Sequence, residues 1–141
     1  VLLSFLILSS ACLAGDNFDA GNHCAGINQR LPDKELSSAI IHVLNREMSK
    51  EANTGQAVIE KIEKYSGKNN WHIVWATPAN MERGVFILSG NSGDIEYKGV
   101  WGGCALPEEE QSVLEWFKSQ VPDAPLSLLE CTAYALTHEQ P

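Results

Sequence analysis

The chain has 141 residues, 44% of them hydrophobic, and carries 18 acidic against 10 basic side chains for a formal net charge of −8. A chain of that length supports one hydrophobic core and not two. The acidic balance argues against binding to nucleic acid or to anionic membrane surfaces, because both require clustered Lys and Arg.

Val1 to Ala14 is uncharged and rich in Leu, Ile, Val and Phe. It is too short to span a bilayer and matches the apolar part of a signal peptide, with Cys12 and Ala14 as the small residues before a cleavage at Gly15. Residues 1–14 are therefore expected to direct export, to the periplasm or the extracellular space, with no membrane-spanning segment in the mature protein. Leu8-Ser9-Ser10-Ala11-Cys12 offers a lipid anchor at Cys12 as the alternative processing event, although its Leu stands four places before the cysteine where a lipobox needs three.

Removal of that leader leaves Cys24, Cys104 and Cys131, which permit one disulfide and one spare thiol in an oxidising compartment. Cys24 lies in an aperiodic stretch and Cys104 follows Gly102-Gly103, so two adjustable segments can meet the narrow geometry of the bond. The expected pair is Cys24–Cys104. Cys131 reads as a small apolar residue inside a helix.

Residues 15–31 show no hydrophobic period and read as an extended arm, with 32–141 forming a single domain. After Pro32 and a cap at or near Asp33, Leu36, Ala39, Ile40, Val43 and Leu44 recur at helical spacing to about Lys50. Asn53-Thr54-Gly55 breaks the chain. Val58, Ile59, Ile62 and Tyr65 then predict a second helix, stopped by Gly67.

Three strands follow: Trp71 to Ala76, Gly84 to Ser89 and Ile95 to Trp101, with the last two joined through Gly90-Asn91-Ser92-Gly93-Asp94 as a hairpin. The first alternates Trp71, Ile73 and Trp75 with His72 and Val74. The third places Ile95, Tyr97 and Trp101 on one side, with Glu96 and Lys98 opposite. This pattern predicts one face under helices and the other partly wet. The middle run, Val85-Phe86-Ile87-Leu88, is apolar on both sides. It reads as a central strand, or as an edge that accepts a partner chain. Pro107 opens a further helix with Glu108, Glu109 and Glu110 in its first turn and a stripe of Val113, Trp116, Phe117 and Val121. Leu128, Leu129, Thr132, Ala133 and Leu136 mark a last one ending near His138. The expected fold is α+β: two N-terminal helices, a small antiparallel sheet of about three strands, and two C-terminal helices.

The chemistry-bearing residues form no strong motif. Cys104 with His72 or His23 as base would be a thiol nucleophile, but the glutamates at 108 to 110 oppose a second anion there. His23, Cys24, His42, His72, Cys104 and Cys131 show neither a Cys-x-x-Cys pair nor histidines at i, i+4, so no metal, cofactor or catalytic residue is assigned. Trp71, Trp75 and Trp101 on strands offer an aromatic face to a peptide or sugar, or pack beneath helices.

From about Asp33 to Gly103, the order helix, helix, Trp71-His72 and hairpin resembles the hub-type dynein light chain, in which a Trp-His pair opens the sheet. The resemblance implies a non-enzymatic, often dimeric module that binds extended peptides at a sheet edge. After His72 the sequence departs from that family, running Ile73-Val74-Trp75-Ala76-Thr77-Pro78. The expected function is an exported, non-enzymatic protein-binding domain, of inhibitor or immunity type. The alternatives are a small cysteine-dependent enzyme, the dynein-light-chain-like peptide module and a structural envelope component. A protein or peptide, or a second copy of the chain as a homodimer, is the expected partner. Val85, Phe86, Ile87, Leu88 and Trp101 are the candidate binding residues.

Overall fold

A computed structural model describes residues 21–51 and 58–138. The leader, the start of the arm and Asn53-Thr54-Gly55 lie outside these residues. The order is α1 (Lys34–Glu51), β1 (Lys64–Lys68), β2 (Trp71–Ala76), β3 (Gly84–Ser89), β4 (Glu96–Gly102), α2 (Glu110–Gln120) and α3 (Leu126–His138). The four strands form one antiparallel meander in the order β1-β2-β3-β4. The fold is α+β, but among the described residues one N-terminal helix and four strands replace two helices and three strands.

The difference lies between residues 58 and 68. Ile59, Ile62 and Tyr65 are buried, and their spacing of three imitates a helix, yet the first two belong to chain without regular structure and Tyr65 to β1. Asn45 on α1 holds that chain as a strand neighbour would: its side-chain amide accepts from the Ile59 N–H at 2.6 Å and donates to the Ile59 carbonyl at 3.1 Å. Asn69 and Asn70 both take positive φ, 50° and 61°, as the two-residue turn joining β1 to β2 requires. Gly67 does not stop a helix. A Cβ there would collide with the Tyr65 hydroxyl, so the glycine makes room for Tyr65 to lie across the sheet.

α1 starts where Asp33 caps it, accepting from the Leu36 N–H at 2.9 Å. Its apolar stripe of Ile40, Val43, Leu44 and Met48 packs on one face of the sheet, against Tyr65, Val74, Phe86 and Leu88. The opposite face, with Ile73, Trp75, Val85 and Ile87, is covered by Val113 and Phe117 of α2 and Leu128, Leu129, Ala133 and Leu136 of α3. The sheet is thus enclosed on both sides, and the expected wet face is absent. Double coverage explains why β2 and β3 read as nearly continuous apolar runs.

β4 contains a bulge. The register shifts between Ile87 and Leu88, which pair with Gly99 and Tyr97, leaving Lys98 as the extra residue. This one-residue slip reverses the alternation, so Tyr97 and Val100 pack with the α1 layer while Trp101 packs with α2 and α3. Tyr97 and Trp101, expected on one side, face opposite layers.

The expected Cys24–Cys104 pair is not formed. Cys24 is bonded to Cys131 of α3, with the Cα atoms 4.7 Å apart. Cys104 is disulfide-bonded as well, and no described cysteine is a free thiol. Beside the Cys24–Cys131 bond, Asn28 exchanges two backbone hydrogen bonds with Gly67, at 3.0 and 2.8 Å, which covers the outer edge of β1.

The β3–β4 connection depends on Gly90, whose φ is +111° and where a Cβ would strike the Asp94 carbonyl oxygen. Gly90→Ala is expected to lower unfolding free energy by at least about 3 kcal/mol, combining backbone strain with a clash that no rotamer relieves. Denaturant titration of the variant against the parent checks this.

Candidate functional site

The residues expected to bind a partner are mostly core. Val85, Phe86, Ile87 and Leu88 are each at most 2% exposed, and β3 is a central strand rather than an edge. Trp101 is half-buried against Trp116, with ring centroids 5.1 Å apart and edge to face. Trp71 and Trp75 join it in the layer under α2 and α3, and Trp116 belongs to α2 itself. The strand tryptophans pack beneath helices and do not form an open aromatic face.

The proposed thiol–imidazole pair is not assembled either. Gly102, just before Cys104, pairs with Gly84, which pairs with Ala76 at the far end of β2 from His72. Four residues of strand, roughly 13 Å, lie between His72 and that end. His72 is itself only 4% exposed, not on a wet face. Its Nε2 lies 2.7 Å from the Gly90 carbonyl, and its Nδ1 lies 2.6 Å from the Tyr65 hydroxyl. A carbonyl can only accept, so the proton of the neutral ring sits on Nε2, and Tyr65 donates to Nδ1. This chain ties β1, β2 and the β3–β4 turn together.

Burial holds the His72 pKa below its ordinary value, opposed in part by the Gly90 bond, and pushes the Tyr65 phenol up to about 12. With the folded pKa of His72 below 6.5, the unfolded chain binds the proton more readily. The stability this contributes is complete above pH 6.5 and is lost as pH falls through 6.5 towards the folded value. A pH series of melting temperatures is expected to decline in that window, and His72→Gln is expected to flatten the decline.

His23 stacks on Tyr134 at 3.8 Å, and Tyr134 stacks on His138 at 4.2 Å, near the start of the described arm. His42 is exposed on α1. Among the described residues no three His, Cys, Asp or Glu side chains come together as a metal site would require.

One apolar groove stands apart from these packed regions. It has a volume of about 370 Å³ and is lined by Met48 at the end of α1, Pro78, Met81, Glu82 and Arg83 between β2 and β3, Gly84 and Phe86 of β3, and Val100 and Gly102 of β4. The chain has two methionines, and both line it. Met81 is 53% exposed at the rim, and nearby Val58 is 39% exposed.

The β2–β3 loop is braced at several points. Ala79 N–H donates to the Val58 carbonyl at 3.0 Å, Met81 N–H to Pro78 at 3.1 Å, and Thr77 Oγ1 to Glu63 at 2.7 Å. Glu82 and Arg83 add one charge of each sign to the lining. Such a concavity suits an apolar side chain or two from a partner, with methionines adapting to its shape. The groove is not legible in the sequence because its walls come from three separate stretches of chain. No protein-family model matches this chain, and no curated protein or solved structure shows a significant match to it.

Proposed function

We propose that the chain is an exported, non-enzymatic protein-binding domain, of the inhibitor or immunity type, and that it seats an apolar anchor of its partner in the Met48–Met81 groove. The observation that carries this reading is the groove: an apolar concavity of about 370 Å³, with both methionines at its wall and a rim residue as exposed as Met81. Burying one large apolar side chain there would contribute roughly 1.5–3 kcal/mol, the scale of a single interface anchor. The burial of His72, whose ring nitrogens are engaged by Tyr65 and Gly90, weighs against the cysteine-enzyme alternative.

Export is supported by the buried Cys24–Cys131 bond, of a kind that persists in oxidising compartments. No described helix is long and apolar enough to cross a membrane. A peptide module resembling a dynein light chain would instead use an outer strand. β4 is such a strand, but its bulge at Lys98 interrupts the row of backbone groups that a peptide would extend.

The test is differential capture from the native compartment. The parent and Leu126→Asp, which alters an exposed apolar residue on α3, are expected to retain a partner that Met81→Asp loses by about tenfold or more in affinity. Equal capture by all three removes the groove from the binding surface.

A further inference from the structure

The first described residues are tied covalently to α3 by the Cys24–Cys131 bond and otherwise lie on the outside of the fold. Asn22, His23, Ala25, Gly26, Asn28, Gln29 and Arg30 are exposed, and Ile27 is half-buried. Cys24, at 6% exposure, is the buried side chain in this stretch, and Cys131 is fully buried. Beyond the bond, the described contacts to the rest of the chain include the Asn28–Gly67 backbone pair, the His23–Tyr134 stack, the Gln29 amide 4.0 Å from Cys131 Sγ and the packing of half-buried Ile27 on the layer under α2 and α3. By contrast, β1 has its own tie to α3, since Lys68 Nζ donates to Ser127 Oγ at 2.8 Å.

We propose that the Cys24–Cys131 disulfide is a redox latch: its reduction by a dithiol releases residues 21–30 and uncovers the outer edge of β1, while the sheet and its helices stay folded. Cys24, at 6% exposure against 0% for Cys131, is the cysteine nearer the surface and takes the attack as the segment opens. The reductant thiolate bonds to Cys24 Sγ, the Cys24–Cys131 bond breaks, and Cys131 leaves as a thiolate that takes up a proton. The second thiol of the reductant then displaces Cys24, which is protonated in turn. Two electrons pass from the dithiol, which ends as a cyclic disulfide. Once the covalent tie is gone, the remaining exposed contacts are those of a segment that opens locally. Gly67 loses its outer partner, so its N–H and C=O face solvent or a pairing strand.

Hydrogen exchange on the full chain tests this, comparing the parent before and after a small dithiol, which also reaches the disulfide of Cys104, with the double variant Cys24→Ser, Cys131→Ser, which lacks the Cys24–Cys131 bond alone and needs no reductant. The expected result is that Gly67 protection falls at least about 100-fold further than that of Ile73 at the centre of β2, both in the reduced parent and in the variant. The proposal is overturned if Gly67 and Ile73 lose protection in parallel, which is global unfolding, or if Gly67 keeps its protection in either form.

Discussion

Ile87→Lys and Leu88→Lys are each expected to leave the chain unfolded, although their side chains point to opposite faces of β3. Ile87 belongs to the layer under α2 and α3, and Leu88 to the layer under α1. Both are 0% exposed. An ammonium at either place would be desolvated among apolar groups with no acid opposite, and the penalty of several kcal/mol rivals the roughly 5–15 kcal/mol that holds a domain together. Truncation is milder: Ile87→Ala is expected to cost about 2–5 kcal/mol through lost contacts and a residual cavity. Circular dichroism and denaturant titration check both. A folded, soluble Ile87→Lys would mean that α2 and α3 do not cover the sheet.

Removal of the Cys24–Cys131 bond should have the second largest effect. The bond spans 107 residues, close to the longest loop this chain can close. In the chain-entropy model its loss destabilises by about 5 kcal/mol, equivalent to a fall of roughly 20 °C in melting temperature for a domain of this size. Mass mapping of non-reduced peptides should recover Cys24 linked to Cys131. Recovery of Cys24 linked to Cys104 would contradict the packing of the first described residues on α3. The global loss and the local release of those residues are separate consequences, since the first acts on the unfolded chain and the second on the native one.

Much of this architecture is legible in the residues, and the misreadings have physical causes. β2 and β3 are bounded by turn residues and rich in β-branched and aromatic side chains, so their limits can be read directly. The stripes of α1, α2 and α3 are equally plain, as is the Asp33 cap. β1 is obscured because Ile59, Ile62 and Tyr65 are buried at a spacing of three in chain that is not helical. The contrary signal is Asn69-Asn70, two residues suited to positive φ immediately before Trp71. Nothing local marks the bulge at Lys98, and with it the sides taken by Tyr97 and Trp101.

Long-range features are harder to read. Cys131 sits within an apolar helical stripe, and only the return of α3 towards the start of the described chain brings it to Cys24. Val85 to Leu88 read as candidate binding residues because the run is apolar on both sides, which is also what burial between two helical layers demands. The groove leaves no such mark, because Met48, Pro78, Met81 and Val100 come together only when the sheet and α1 are assembled.

The two methionines make the binding proposal directly measurable. A chain labelled with ¹³C at its methionine methyl groups should give two signals, from Met48 and Met81, both at the groove wall. On titration with the partner recovered by differential capture, both signals are predicted to shift and saturate together, and Met81→Asp is predicted to weaken that titration by about tenfold or more. Saturating binding with both methyl signals unmoved would contradict the account, because it would place the partner on a surface other than the groove.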